Sequence, residues 1–393
     1  MKHDNVIVIG GAICALGIVR ALGKYGIKST ILSYNKNDIA HTSKYVDSFI
    51  CIPDPQIQGK EFIEKLIDLG PKYRKALLIP TTDEVLIATS KHKQLLSKYY
   101  TVSTLDEKHL KIFIAKNYTY ELCANLKIPY PKTYMPKNLA ELEKIQIRFP
   151  CIVKPVQSHI FMRQFHTKLI RIRTDDELKK IFGLCKAKGQ EVMIQEWIRG
   201  NDSHMFTNII YIDQQGRIQA SAVFQKIRQN PPRTGVVRVA RTYPHNMPFV
   251  KYSNKIIKHL GLKGIFEFEY KKDLRTDTLK LIEINPRFCR YNWLYTVAGV
   301  NIPYMMYHDL INKKPIPSQK AYRTNVYFID VYADVINYIF RDRKELWTLR
   351  DYIAPYRKDK TFAVFAKDDP KPFLYQFLIL PFKYFRMVRD MLQ

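Results

Sequence analysis

Four oxygen-bearing side chains at two-residue spacing carry the first chemical signal in this chain. They are Glu267 and Glu269 in Gly264-Ile265-Phe266-Glu267-Phe268-Glu269-Tyr270, and Glu283 and Asn285 in Glu283-Ile284-Asn285-Pro286-Arg287. Residues two apart in an extended strand share a face, so each pair points one way, and a hairpin would bring the two pairs together. Facing acids imply a cation between them. Hard oxygen donors suit Mg²⁺, which takes one or two carboxylates and completes its shell with water and substrate phosphates. Arg287 would add a fixed cationic fork for a phosphoryl oxygen. A lone Glu-x-Asn would pass for solvated acids on an open hairpin; the full five-residue block on an apolar strand is less easily accidental.

This block resembles the metal-binding end of the ATP-grasp superfamily, and the resemblance extends over roughly residues 1 to 312. It implies an α/β and α+β architecture. A Rossmann-like pre-ATP-grasp domain would occupy residues 1–110 and a two-lobed ATP-grasp domain residues 111–312, with the nucleotide between the lobes. A basic, aromatic C-terminal extension would follow at 313–393. The amino end supports the first assignment: Val6-Ile7-Val8-Ile9-Gly10-Gly11 predicts a strand and turn, and the pattern through Gly17, Val19 and Leu22 predicts a helix. A dinucleotide site would want G-x-G-x-x-G and an acid ending the second strand. The spacing Gly10, Gly11, Gly17 and the acid-free run Ser29-Thr30-Ile31-Leu32-Ser33-Tyr34 argue against NAD. Leu77-Leu78-Ile79-Pro80-Thr81-Thr82-Asp83-Glu84 predicts a later strand whose carboxyl-end loop lies where α/β sheets bind ligands.

The resemblance implies a nucleotide site built from separated segments. Lys116 would approach the phosphates. Lys154, in Phe149-Pro150-Cys151-Ile152-Val153-Lys154-Pro155, sits on an apolar strand; a buried ammonium is costly without an anion, so it is expected to meet a phosphate. Lys168 stands where relatives place another lysine. Glu191 to Asp202 would form the adenine hinge, with Gln195, Glu196 and the backbone of Trp197 and Ile198 along the base and Asp202 at the ribose hydroxyls. Lys226, Arg228 and Arg233 fall in a cationic, proline-punctuated segment resembling that of D-aspartate ligase-like members. They are expected to hold an acid substrate and the transferred phosphoryl group. The chain departs from the family between Gln157 and Lys168, which contains no glycine where many members close a glycine-rich lid; His159, Arg163 and His166 are the alternatives there.

The resulting expectation is a carboxylate-amine ligase using ATP and two Mg²⁺ or Mn²⁺ ions, held by Glu267 or Glu269 with Glu283 and Asn285. Its partners would be a small-molecule carboxylate and an amine, with a homodimer possible as in related cores. Composition is that of an ordinary globular chain, 46% hydrophobic and 25% charged over 393 residues. Six cysteines without a C-x-x-C pair predict reduced thiols in a cytoplasmic protein, and Met1 to Asn5 leave no room for a signal peptide ahead of the first strand. The formal charge of +28 calls for an anionic partner. No recognisable nucleic-acid module accompanies it. The apolar run Phe373 to Phe382, followed by Lys383, Arg386 and Arg389, suits the anionic inner face of a membrane, being far shorter than the ~20 residues of a spanning helix. Two rival classes remain at this stage: a weakly catalytic ATP-binding scaffold, motivated by the glycine-free lid, and a basic nucleic-acid binder with an inherited fold.

Overall fold

The computed structural model describes residues 6–379 except 157–160, 162, 163, 166, 168, 315, 320 and 343–346. Lys168, His159, Arg163 and His166, together with the basic residues after Leu380, lie outside the described residues.

The amino-terminal run forms a five-stranded parallel sheet of β1 (Val6–Ile9), β2 (Ser29–Ser33), β3 (Val46–Cys51), β4 (Leu77–Pro80) and β5 (Thr101–Val102), in the order β3-β2-β1-β4-β5. Every residue of β1, β2 and β4 is buried, as in strands covered on both faces, including the polar Ser29, Thr30 and Ser33 of β2. Gly10 holds a left-handed φ of +106°, and a Cβ there would strike Thr81. Thr82 follows β4 and caps the helix Asp83–Lys91 through its hydroxyl, which accepts from the Val85 N–H. Asp83 is thereby fixed at the carboxyl edge of the sheet.

A smaller, antiparallel sheet of four strands comes next, β6 (Thr133–Tyr134), β7 (Cys151–Pro155), β8 (Ile170–Ile172) and β9 (Val192–Glu196), ordered β6-β9-β7-β8. The helix Asp175–Ala187 covers it with Leu178, Phe182 and Cys185. The third sheet has seven strands in the order β14-β13-β10-β11-β12-β15-β16: β10 (Met205–Ile212), β11 (Ile218–Asn230), β12 (Val236–Tyr243), β13 (Gly264–Asp273), β14 (Thr278–Asn285), β15 (Tyr327–Ile329) and β16 (Lys360–Phe362).

This sheet revises one expectation. Residues past 313 do not form a mere extension, because β15 pairs with β12 and β16 pairs parallel to β15. Two buried ionic contacts fasten the same region. Arg20 Nε lies 3.0 Å from Asp369 Oδ2, both side chains being 1% exposed, and Asp334 takes a two-pronged contact from Arg228 at 2.9 Å. Strands of three residues separated by irregular chain carry too little period-2 pattern to register in a sequence, and charged side chains sealed in a core look like surface ones.

The boundary at residue 110 is not a gap in packing either. One apolar cluster joins Val6 and Val8 of the first sheet, Ile209 and Phe224 of the third, and Phe328 and Ile379 from the carboxyl region. Across this border Gly17 on the helix Ile13–Gly23 meets Asn292 so closely that a Cβ would lie 2.1 Å from its Oδ1. The glycine that failed to complete a dinucleotide motif serves close helix packing. All six cysteines are free thiols, four of them buried. Among the described residues no helix is long and apolar enough to cross a membrane.

Candidate active site

The acid hairpin forms with the register its spacing required. β13 and β14 are antiparallel, with Glu267 opposite Asn285 and Glu269 opposite Glu283. Glu267 is 3% exposed; its carboxylate accepts from Tyr291 Oη (2.8 Å) and from Asn285 Nδ2 (3.3 Å). Burial, then the neighbouring Glu269 carboxylate, push its pKa up to about 7 against the pull of Lys226 and Arg287. Glu269 is bound by Lys226 Nζ at 2.6 Å, and Glu283 by Lys116 Nζ at 2.9 Å. Burial opposes both lysine charges, but the facing acids outweigh it and raise both pKa values. Both front acids therefore have partners across the hairpin, one an acid and one an amide.

These donors are chemically suited to a hard divalent cation, since all are oxygen ligands on rigid strands. As they stand, no three carboxylate, histidine or cysteine side chains among the described residues are gathered closely enough to hold one. Glu269 and Glu283 are held by Lys226 and Lys116, so an entering cation would have to draw them from these lysines.

Lys154 behaves differently from its neighbours. It lies on β7, buried, and makes no ion pair among the described residues. Burial first, then the Lys116 charge, lower its pKa to about 8, and Glu283 and Glu269 only partly offset them. An ammonium so placed gains most from a bound anion.

Arg287 turns its guanidinium onto Asp83 of the first domain, Nε to Oδ1 at 2.5 Å and Nη2 to Oδ2 at 3.1 Å. Burial works against its charge, yet Asp83 holds the pKa above the usual arginine value. This fork ties the first domain to the acid hairpin. A single cleft of about 1480 Å³ gathers Lys116, Lys154, Gln195, Glu196, Trp197, Ile198, Lys226, Arg233, Glu267, Glu269, Glu283, Asn285 and Arg287. Its far wall is made by the first-domain helices Gly59–Leu69 and Asp83–Lys91. Pockets for one drug-sized ligand run to roughly 1,000 Å³, so this one has room for a nucleotide and a second substrate.

Two expected site residues face elsewhere. Arg228 is fully buried with Asp334 and the Tyr352 carbonyl, away from the cleft. Along β11 it is two residues from Lys226 and should share its face, but register shifts on either side of Arg228 reverse the alternation. Asp202 is 6% exposed and lies off the cleft lining; its oxygens accept from the Gln229 N–H (2.7 Å), Gln229 Nε2 (3.1 Å) and the Arg233 N–H. It braces the β11–β12 turn rather than reaching toward a sugar. Glu196 lines the cleft with its carboxylate engaged by Lys280, the Lys132 N–H and Arg275. Trp197 lies between Arg171 and Lys271, whose charges sit 4.9 and 5.1 Å from its ring.

Lys271, Tyr291 and Asp83 are cleft residues the sequence argument passed over. Lys271 was within reach of it, since β13 pairs with β10 without a register shift from Gly264 to Lys271, which sets residues 267, 269 and 271 on one face. Burial brings its pKa down to about 8. Tyr291 offered no such signal, because it arrives from outside the hairpin; Asp83 lies in the loop after β4, where α/β sheets bind ligands.

The fold and the cleft resemble those of ATP-grasp proteins. Residues 223–330 match the model of the family described as ATP-grasp in the biosynthetic pathway with Ter operon. A D-aspartate ligase of Enterococcus faecium (strain Aus0004) is 26% identical over 280 residues, a span covering 67% of this chain and 66% of that protein, just under two thirds of its length. Among solved structures, the biotin carboxylase–β,γ-ATP complex of Campylobacter jejuni superposes with a TM-score of 0.66 at 15% identity, over 82% of this chain and 74% of the other. An L-amino acid ligase of Bacillus licheniformis gives 0.62 at 16%, over 81% and 76%. The ATP-grasp resemblance and the mixed α/β fold expected from the sequence are thereby borne out.

Proposed function

We propose that this protein is an ATP-dependent carboxylate-amine ligase that makes an amide through an acyl phosphate. The observation that carries this is the buried Lys154, which makes no ion pair among the described residues, in the same cleft as the paired acids of β13 and β14. An ammonium seeking an anion and carboxylates able to take a cation fit opposite ends of a metal-bound polyphosphate. Named relatives that are a D-aspartate ligase and an L-amino acid ligase support the reaction class.

Glu283 and Asn285, with Glu269 or Glu267, would hold two Mg²⁺ or Mn²⁺ ions, which would neutralise charge developing on the phosphates. Lys154 and Lys116 would bind phosphate oxygens, with Lys168 as a third contact. Gln195, Glu196 and the backbone of Trp197 and Ile198 would border the base. The substrate carboxylate oxygen attacks the γ-phosphorus in line; the bond from γ-phosphorus to the bridging oxygen breaks and ADP departs. The amine nitrogen then attacks the acyl carbon, phosphate leaves with the former carboxylate oxygen, and the nitrogen loses a proton. Arg287, Lys226 and Arg233 would steady the anionic acid and phosphoryl oxygens. No side-chain nucleophile is needed, because positioning and electrostatics supply the acceleration.

The test is ADP release by the purified protein with Mg-ATP against pools of amino acids, peptides and sugar acids, beside Glu283→Ala. Release that depends on both an acid and an amine, and is lost in the variant, supports the ligase. The glycine-free segment 157–168 favours a second reading, an ATP-binding scaffold of little turnover. Tight ATP binding with no acid-dependent ADP release in any pool would establish that one instead.

A further inference from the structure

A second buried ammonium shares the cleft with Lys154. Lys271 of β13 is 5% exposed, lines the cleft, and makes no ion pair or hydrogen bond among the described residues. A charge sealed from water in this way is costly until an anion meets it. The carboxylates whose charge reaches it are engaged elsewhere: Asp202 by Gln229 and the Arg233 N–H, Asp273 by Lys280 and the Arg275 N–H. What remains around it is cationic. Lys271 Nζ and the Arg171 guanidinium lie 5.1 and 4.9 Å from the Trp197 ring, whose π system steadies both charges without cancelling either. A side pocket of about 410 Å³ adjoins Trp197, lined by Arg171, Arg199 and Arg233 and, among the described residues, by no carboxylate. Trp197 and Arg233 line the cleft as well, so the two spaces meet there.

Lys271 does not duplicate Lys154. The charged neighbours of Lys154 are Lys116, Glu283 and Glu269, whereas those of Lys271 are Asp202, Arg233, Asp273 and Lys226. On β9 the residue opposite Lys154 is Met193, four positions and so about 13 Å of extended chain before Trp197. An anion gripped by Lys154 therefore leaves Lys271 unanswered. Three cations about one ring, with Arg199 at the pocket wall, exceed what a single carboxylate neutralises. A phosphate group brings close to two charges and three acceptor oxygens, and guanidinium forks match its geometry. We propose that Lys271, Arg233 and Arg171, grouped about Trp197, form a second anion subsite that takes a phosphate group other than those of ATP. Lys271 stands two strand residues, about 7 Å, from Glu269, so a small phosphate ester can reach from the subsite toward the acid hairpin. That the ester is a substrate rests on the ligase reading; that the place binds phosphate does not.

The test is calorimetric and uses the full chain with Mg²⁺ and a non-hydrolysable ATP analogue bound, titrated with inorganic phosphate, methyl phosphate and acetate. One saturable site for both phosphates is expected, with acetate roughly ten-fold weaker or more. Lys271→Met should weaken phosphate binding by roughly ten-fold, and substitution of the exposed Arg171→Gln several-fold. Lys98→Met removes an exposed charge elsewhere and should leave it unchanged. Melting transitions of the variants verify their folding. No saturable site, equal affinity for acetate, or unchanged binding in both subsite variants overturns the proposal. An equal loss in Lys98→Met does so too, since it would mean an adventitious ion only, drawn by the net charge of +28. Exclusion of methyl phosphate where inorganic phosphate binds would leave no room for an ester and sink the ligand class. A site that disappears once the analogue is bound would assign Lys271 to the nucleotide instead. Binding is read without turnover, so a chain that passes this test yet releases no ADP keeps the subsite and loses the ligase, and the converse result does the reverse.

Discussion

Lys226 and Arg228 sit two residues apart on one strand, each clasped by an acid, yet they belong to different kinds of place. Lys226 holds Glu269 in the lining of a cleft that a ligand can enter. Arg228 holds Asp334 where neither side chain has any exposure, with Tyr356 donating to the same carboxylate and Arg238 beside it. Distance is similar in the two pairs; access is what differs. An ion pair is exchangeable chemistry only if something else can reach it, and otherwise it is fixed structure.

Breaking the sealed pair should have the largest effect. Arg228→Met strands a buried carboxylate and is expected to destabilise the protein by about 3–5 kcal/mol, read from denaturant unfolding. Arg228→Met with Asp334→Leu should recover part of that loss, because the carboxylate is removed together with its partner while Arg238 loses its contact with Asp334. If the single variant melts like the parent, the sealed pair is not structural in the sense argued here.

The cleft pairs should respond in activity. Glu283→Ala is expected to cut ADP release by on the order of 100-fold or more while the melting temperature moves far less than for Arg228→Met. Asp83→Ala comes next. It frees Arg287 without removing it, so a loss of about ten-fold is expected, with KM for the acid substrate rising, since a fork no longer oriented binds more weakly. An unchanged KM would mean that Asp83 merely stitches the first domain in place.

The smallest effect sharpens the comparison through pH. Lys154 has its pKa lowered from 10.5 to about 8 in the folded protein, so between those values the unfolded chain binds more protons. Stability from this group must rise with pH across that window and be lowest below it. Lys154→Met should abolish that part of the rise and leave the protein equally or more stable at pH 7, while ADP release is lost. Lys271 titrates in the same range, so the informative quantity is the difference between parent and variant.

The hairpin and the first sheet were legible because their signals are local and periodic. Glu267, Glu269, Glu283 and Asn285 fell as a two-residue alternation dictates, and β1 and β4 as apolar runs do. Arg228 was misjudged for the converse reason, since a bulge changes which residues share a face without changing a letter of sequence. Asp202 was misjudged because an acid after a glycine fits both a ribose contact and a loop brace, and only the folded turn, with Gln229 and Arg233 brought back over it, separates them. The Arg287–Asp83 fork joins residues 204 apart, a relation that no pattern along one chain encodes.

The contact of Arg20 with Asp369 also orders events in time. The two residues are separated by 349 positions, and Asp369 additionally accepts from Ser43 and from the Lys44 N–H. At a synthesis rate of roughly 5–20 residues per second, the first helix waits about 20 to 70 s for the carboxylate that completes its environment. During translation the opening domain carries a guanidinium facing a hollow, and a nascent chain stopped at residue 313 would keep it so indefinitely. Synthesis of the carboxyl region, rather than emergence of the first sheet, marks the moment at which Arg20 gains its carboxylate.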